Sequence, residues 1–291
     1  MKSMKQILTP LWNGFAGASP VLATKILYRR VLGKRLNLKD PQTFNEKQQW
    51  LKLYRYRNND IVVNCSDKYR VREYLDKCGC LDLANELYGV WDKASDIDWE
   101  KLPSKFVLKC NHGSGFNIIC RDKESFDMKK ACEILDKWIS HPYGRYSCEI
   151  IYEKIKRKII CERFIETDDG KEPNDYKFFC SFGDVKFIYV MLGHDEVQDY
   201  FTLDWEWMPI GSTGRPHAPI HMVKPDKLEE MIRYASILSK PFPEVRVDFY
   251  CEHGKILVGE LTFLTTGGLT RYDPPEADLT LGKLFPPISE M

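Results

Sequence analysis

The sequence predicts an α+β fold. Three observations carry that expectation. Apolar–polar alternation marks several strands, most clearly in VRVDFYCEHGKILVGELTF at 245–263. Helical periodicity falls in other stretches, at 20–57, 66–75, 128–139 and 225–238. The two kinds of element do not alternate as regular βαβ units, which points away from a doubly wound parallel sheet.

The elements follow in order. Residues 20–57 read as helices broken near Asp40-Pro41, with Thr43 as a cap before FNEKQQWLKLYRY. SDKYRVREYL, 66–75, reads as another capped helix start. Residues 92–98, with Pro103 beyond them, read as loop. Strands are expected at 106–110 and 116–120, joined by a Gly-containing turn, with a helix over 128–139. Residues 148–157 look helical, and KIICERFIE, 158–166, looks like a strand. Two strand runs, 176–181 and 185–192, meet at Phe182-Gly183-Asp184. A helix over 225–238 precedes the hairpin at 245–263, and the tail from Thr265 is rich in Gly and Pro.

Composition bounds the function. The 291 residues suffice for one large domain or two smaller ones, and 43% apolar with 29% charged residues is ordinary globular usage. A net charge of +1 gives no reason to expect a nucleic-acid partner. No apolar run of roughly 18 residues is present, so neither a signal peptide nor a membrane-spanning helix is expected. The chain is expected in the cytosol, where its ten cysteines stay reduced. Cys78-Gly79-Cys80 is the one close cysteine pair, with no second pair at zinc-ligand spacing, so the thiols read as buried packing groups. Residues 1–40 are basic, with Lys2, Lys5, Lys25, Arg29, Arg30, Lys34, Arg35 and Lys39 against Asp40 alone, and apolar residues interleave. Such a segment suits either the surface of an anionic membrane or a helix packed on its own protein with cations outward.

Two motifs suggest chemistry. In FVLKCNHGSG, 106–115, a strand carries Lys109 into a loop of His112, Gly113, Ser114 and Gly115. Glycines let backbone N–H groups turn onto phosphate oxygens, and the lysine adds a positive charge. No GK[ST] opens a helix, so this is not a Walker loop, and a plain hairpin turn also accounts for it. In the hairpin at 245–263, Arg246 and Asp248 share one face, as do Glu260 and Thr262. Two carboxylates suit Mg²⁺, and the arginine suits a phosphoryl group; the bland alternative is a solvated strand face with one ion pair.

The pieces occur in one order: Asp67-Lys68 opening a helix, Lys109 with its Gly-rich loop, ICERFIE (160–166), DYKFF (175–179), VRVDF (245–249) and GELTF (259–263). In that order they resemble the ATP-grasp superfamily. LNLKDPQTFNEKQQWLKLY, DKYRVREYL, LKCNHGSGFNIIC, YKFFCSFG and GELTF are closest to its TupA-like branch, commonly encoded with bacterial capsule and cell-wall polysaccharide genes. The resemblance runs from about Leu36 to Phe285.

The resemblance implies two α+β lobes with ATP between them: a helical N-terminal segment (1–60), a first part (61–158) with a lid at 106–147, and a C-terminal lobe (159–291). It implies that Lys68 and Lys109 approach the phosphates and that the loop His112–Gly115 closes over them. Glu162, Arg163, Phe164 and Ile165 match the hinge strand that receives adenine, while Glu166 or Asp175 matches a ribose contact. Asp175 and Lys177 match a polar pair facing the nucleotide, with Lys177, Lys109 and Arg246 in catalytic roles. Asp248 and Glu260 match the carriers of Mg²⁺. Thr262 stands where the superfamily usually has an Asn ligand, which leaves the number of ions open. Thr265, Thr266, Gly267, Gly268 and Arg271 stand where relatives place a substrate-binding loop.

The implied reaction is an ATP- and Mg²⁺-dependent carboxylate–amine ligation through an acyl phosphate. The implied substrates are an amino acid or peptide and a sugar acid or glycan, handled at the cytosolic face of the membrane. The rivals are a glycosyltransferase using Asp168-Asp169, a kinase acting on a sugar hydroxyl, and a binding module without catalysis.

Overall fold

In a computed structural model of the chain, residues 4–193, 197–219 and 222–291 are described, so Lys2 lies outside the described residues. Five helices come first. α1 (Met4–Ala18) and α2 (Pro20–Leu32) form a hairpin, and α2 begins with Pro at its first turn and ends at Gly33, whose φ of 72° closes the helix left-handedly. α3 (Phe44–Leu51) starts at the expected cap: Glu46 N–H donates to Thr43 Oγ1 at 3.2 Å, and Thr43 N–H donates to Glu46 Oε2 at 3.2 Å. It runs on into a π-helical turn at Lys52–Tyr56.

Ser66 ends α4 (Asp60–Ser66) rather than starting a helix. Asp67 makes the break before α5 (Val71–Lys77), because its carboxylate accepts from the N–H groups of Tyr69 and Arg70. The cap read at Ser66 is displaced by one residue, to the stronger acceptor.

The first sheet contains β1 (Leu87–Trp91), β2 (Phe106–Cys110), β3 (Asn117–Cys120) and, after helix α6 (Met128–Ser140), β4 (Ile159–Arg163). Its order is β1-β4-β2-β3, antiparallel throughout. The LYGVW sequence of β1 has no alternation to announce it, and every residue in it is half-buried. β4 lies between β1 and β2, so the segment begun at 159 belongs to the first sheet. It ends at Arg163, short of the expected 166. The helix expected over 148–157 is only a 3₁₀ turn, Ile150–Lys154, because Cys148 leaves helical geometry with φ 61° and Glu149 turns inward.

The second sheet is built from β5 (Asp175–Ser181), β6 (Asp184–Leu192), β7 (Val197–Phe201) and β8 (Trp207–Met208). After β9 (Gly211–Ser212) and α7 (Leu228–Ser239), the hairpin β10 (Val245–Glu252) and β11 (Lys255–Thr262) completes it in the order β11-β10-β5-β6-β7-β8. Its turn is two residues long, His253 and Gly254, with φ of 51° and 70°, the left-handed pair that matches strand twist. Leu228, Met231, Ala235 and Leu238 of α7 are buried in the main core with Phe178, Phe187, Val247 and Phe249.

The tail returns to the N-terminal helices. β12 (Tyr272–Asp273) pairs with β9, and α8 (Ala277–Gly282) packs on α3. Lys47 Nζ donates to the carbonyls of Gly282 and Phe285 at 2.8 and 2.7 Å, and Asp278 accepts from Asn45 N–H at 2.9 Å. All ten cysteines are free thiols, seven of them buried. Among the described residues no helix is long and apolar enough to cross a membrane.

Candidate active site

Strand register brings the charged residues together. In the second sheet Asp248 lies opposite Glu260 on one side and Lys177 on the other; Arg246 lies opposite Thr262, and Tyr250 opposite Asp175. A bulge after Asp248 keeps Glu260 and Thr262 on its face although Phe249 pairs with Val258. The expectation of a half-buried strand is corrected here. Arg246 is 8% exposed and Asp248 1%, so the polar face of β10 is buried too.

Burial forces these charges to satisfy one another. Arg246 donates from Nε to Asp248 Oδ1 at 2.7 Å and from Nη2 to Oδ2 at 2.6 Å, a bidentate pair. The same Nη2 reaches Glu260 Oε1 and Thr262 Oγ1, each at 3.1 Å, and Nη1 reaches Thr265 Oγ1 at 3.3 Å. Thr262 in turn donates to Glu260 at 2.8 Å. Lys177 donates to Asp175 and, at 2.9 Å, to Asp248. Burial alone would raise Glu260, but Lys68, Arg246 and Lys177 outweigh it and hold the carboxylate well below its ordinary range. Burial would lower Lys177, yet Asp175 and Asp248 keep it above the usual lysine value. Glu260 and Lys177 are therefore charged near neutrality, whereas burial raises Asp175 above its usual range against the pull of Lys177.

The Gly-rich loop closes the other side. Lys68 Nζ donates to Gly113 carbonyl at 2.7 Å and lies 3.4 Å from Glu260 Oε2, so it ties the loop to the hairpin. Asn111 fixes this arrangement. Its Nδ2 donates to Asp67 and Lys156, its Oδ1 accepts from Lys158 N–H, and its carbonyl accepts from Lys68 N–H. Lys109 Nζ donates to Glu162 Oε2 at 2.7 Å.

His112 departs from the role that the resemblance implies. It is fully buried, packs edge-on against Phe116 and does not line the cavity. Burial, reinforced by Arg157, pushes it down to about 4, so it is neutral and anchors the loop from behind. Gly113 has φ 76°, and a Cβ there would stand 2.7 Å from the Tyr143 ring. Gly113→Ala is therefore expected to weaken binding of an ATP analogue by about 10-fold, the order of one strained residue's cost, checked by titration calorimetry.

One cavity of about 760 Å³ receives most of the expected site residues. Lys68, Lys109, Lys177 and Arg246 line it together with Asp175, Asp248 and Glu260. Gly113, Ser114 and Gly115 line it, as do Thr262, Thr265, Thr266, Gly267 and Arg271. Gly268 does not; its carbonyl accepts from Gln49 Nε2 at 2.6 Å, holding the loop to α3.

Arg163, Phe164, Ile165 and Glu166 line a second cavity of about 630 Å³. Tyr250 borders both cavities. Glu166 there pairs with Lys105 at 3.0 Å, whereas Asp175 belongs to the first cavity, so the two candidates for a ribose contact stand apart. Glu162 lines neither, being occupied by Lys109. Asp168 and Asp169 sit in an exposed turn and line neither cavity.

Several lining residues were not legible beforehand. Glu149 comes from 148–157, which reads as helix but is irregular at Glu149, while Tyr143 and Arg215 come from segments to which the sequence assigns no element. Arg215 Nη1 donates to Tyr189 hydroxyl at 2.9 Å. Asn111 stood inside the quoted motif but carries no charge to draw notice.

The donor set fits a nucleoside triphosphate: Lys68, Lys109, Lys177, Arg246 and a Gly-rich loop face one cavity for the phosphates, and Asp175 Oδ1, buried there without a partner, is an acceptor suited to a hydroxyl. It also fits Mg²⁺. Among the described residues no three His, Cys, Asp or Glu side chains converge, so Asp248 and Glu260 would be a two-carboxylate set, completed by water or phosphate oxygens as Mg²⁺ prefers.

The fold is ATP-grasp, and the chain belongs to the TupA-like ATPgrasp family, whose profile matches residues 46–286. Among solved structures it is similar to a D-alanine–D-alanine ligase from Bacillus anthracis, with 17% identity and a TM-score of 0.45 over 69% of this chain and 57% of that one. It is also similar to an L-amino acid ligase from Bacillus licheniformis, with 14% identity and a TM-score of 0.46 over 77% of this chain and 50% of that one. A D-alanine–D-alanine ligase from Helicobacter pylori gives 16% identity and a TM-score of 0.45 over 84% of this chain and 69% of that one. The chain thus spans less than two thirds of the length of the first two. A comparison with curated proteins gives no significant match.

Proposed function

We propose that the protein is an ATP- and Mg²⁺-dependent carboxylate–amine ligase that joins an amino acid or short peptide to a sugar acid or cell-surface polysaccharide precursor. The observation that supports it most is the convergence of Lys68, Lys109, Lys177 and Arg246 with Asp248 and Glu260 on one cavity. In such a reaction a substrate carboxylate oxygen attacks the γ-phosphorus of ATP and ADP leaves. An amine then attacks the acyl carbon, loses a proton and displaces inorganic phosphate. The obstacle is the approach of two anions, and this chain meets it with fixed positive charge. Lys68 donates to the Gly-rich loop and Lys109 lines the same cavity; Arg246 is held rigid by four acceptors. Bound Mg²⁺ would supply further neutralisation of phosphate charge at Asp248 and Glu260.

The substrate class is supported by further lining of the same cavity. Arg215 and Arg271 line it with Thr213, Thr265, Tyr189 and Tyr200. Two cations amid hydroxyls suit an acid that also carries sugar hydroxyls. Glycosyl transfer finds less support, since Asp168 and Asp169 lie outside both cavities.

Thermal shift with Mg²⁺ and a non-hydrolysable ATP analogue, beside UDP-glucose, tests the reading. The expected result is a rise with the ATP analogue alone. A rise with UDP-glucose alone would overturn it. ADP release that needs a sugar hydroxyl but neither a carboxylate nor an amine would redirect it to a kinase.

A further inference from the structure

Helix α2 has two unlike faces. Ala23, Thr24, Leu27 and Tyr28 are buried, and Ala23 and Leu27 pack in one cluster with Ala16 of α1, Cys148 and Leu269. Leu22, Lys25, Ile26, Arg29 and Arg30 are exposed, and at helical spacing they fall in one stripe about 140° wide. Leu22 and Ile26 leave 50% and 42% of their surface in solvent, and Leu11 on α1 leaves 68%. Exposed Lys34 and Arg35 carry the charge past the helix end. No Asp or Glu occurs in residues 1–39. The two readings open for this segment thus divide between its faces: the inner one packs on the protein's own body, and the outer one carries apolar residues flanked by cations.

We propose that the outer face of α2 docks on the anionic headgroups of a lipid bilayer, with Leu22 and Ile26 entering the interface. Charge complementarity selects this occupant, since a cationic stripe with an apolar centre and no local acid is attracted to such a surface. The placement also gives the surface a purpose. Val31, in the last turn of α2, lines the main cavity, and its carbonyl accepts from Arg271 Nε at 2.7 Å. Val31 lies half a turn from Leu22 around α2, so docking on the outer face holds the Arg271 end of the cavity about one helix diameter, roughly 10 Å, from the membrane, within reach of a lipid-tethered acidic substrate. The docking itself does not rest on the ligase reading; a surface that holds vesicles does so whatever reaction the cavity performs.

The test is co-sedimentation of the full chain with phosphatidylcholine vesicles, with and without phosphatidylglycerol. The chain is expected to pellet only with the anionic vesicles, and less at high salt. The triple variant Lys25→Ala/Arg29→Ala/Arg30→Ala is expected to cut partition by roughly 100-fold, and Leu22→Ser/Ile26→Ser by about 10-fold. Unchanged melting temperatures in both variants show that they remain folded. Failure of the wild type to pellet, or equal pelleting of the triple variant, overturns the proposal. A wild-type dimer that Leu22→Ser/Ile26→Ser dissociates, with no vesicle binding, overturns it too and gives the face to a second copy of the chain.

Discussion

Asp248→Asn is expected to weaken Mg²⁺-dependent binding of a non-hydrolysable ATP analogue by about 30-fold or more, and to destabilise the fold at the same time. The binding loss follows from removing one of two carboxylates available to the cation, with charged hydrogen bonds worth about 1.5–3 kcal/mol each. The stability loss has a separate origin. Asp248 is 1% exposed and stands between Arg246 and Lys177, both buried. Neutralising it leaves two buried cations short of their shared anion, and breaking one side of a buried pair costs about 3–5 kcal/mol. Glu260→Gln separates the two effects. The Glu260 side chain keeps 36% exposure against 2% for Asp248, so water offsets part of the loss of its bonds to Arg246 and Lys68. It is expected to lose Mg²⁺ dependence while losing less stability than Asp248→Asn. Titration calorimetry with and without Mg²⁺, beside thermal melts, checks both variants. Unchanged metal dependence in Glu260→Gln would remove that carboxylate from the metal site.

The legibility of this site had a simple physical basis. Strands alternate faces, so Arg246 with Asp248, and Glu260 with Thr262, were bound to point the same way once the hairpin was recognised. Register then did what spacing within one strand does not: it placed Lys177 and Asp175 of β5 on that face. The chain order of the motifs supplied the pairing that periodicity lacked. Burial was less legible. A run such as Arg246-Val247-Asp248 looks half-solvated, yet Lys177, Thr262 and Thr265 close in on its polar face and leave both faces interior. His112 misled for a related reason. An imidazole beside two glycines resembles a ligand, yet the left-handed turn at Gly113 accompanies a ring directed into the protein against Phe116. Arg215 and Glu149 were invisible because irregular segments bring them to the cavity, and no local pattern encodes where such segments go.

Glu244→Gln is expected to stabilise the protein by an amount that grows with pH. Glu244 is 1% exposed at the entrance to β10, where Tyr56 hydroxyl donates to its carbonyl at 2.5 Å and accepts from its N–H at 3.1 Å. One carboxyl oxygen accepts from Gln48 Nε2 at 3.2 Å; the other is buried without a partner, as is Gln48 Oε1. Burial pushes this carboxyl up from 4.5 to about 8, against the opposing pull of Gln48 and Arg246, so the folded protein carries it protonated near neutrality. The sign follows from linkage. Below 4.5 the group is protonated whether the chain is folded or not, and its folded environment costs nothing. Between 4.5 and about 8 the unfolded chain releases the proton and the folded chain retains it, so stability falls by up to about 1.4 kcal/mol per pH unit. Glutamine has no proton to lose, and its amide can donate where the unpartnered oxygen stood. At pH 5 the two proteins are expected to melt together; at pH 8.5 the variant is expected to melt about 5–10 °C higher. His112, held down to about 4, imposes the opposite slope below its ordinary value of 6.5, but it does so equally in both proteins and cancels in the difference. A difference in melting temperature that stays flat from pH 5 to 8.5 would mean that Glu244 is ionised in the fold, and that Arg246 compensates it through the core.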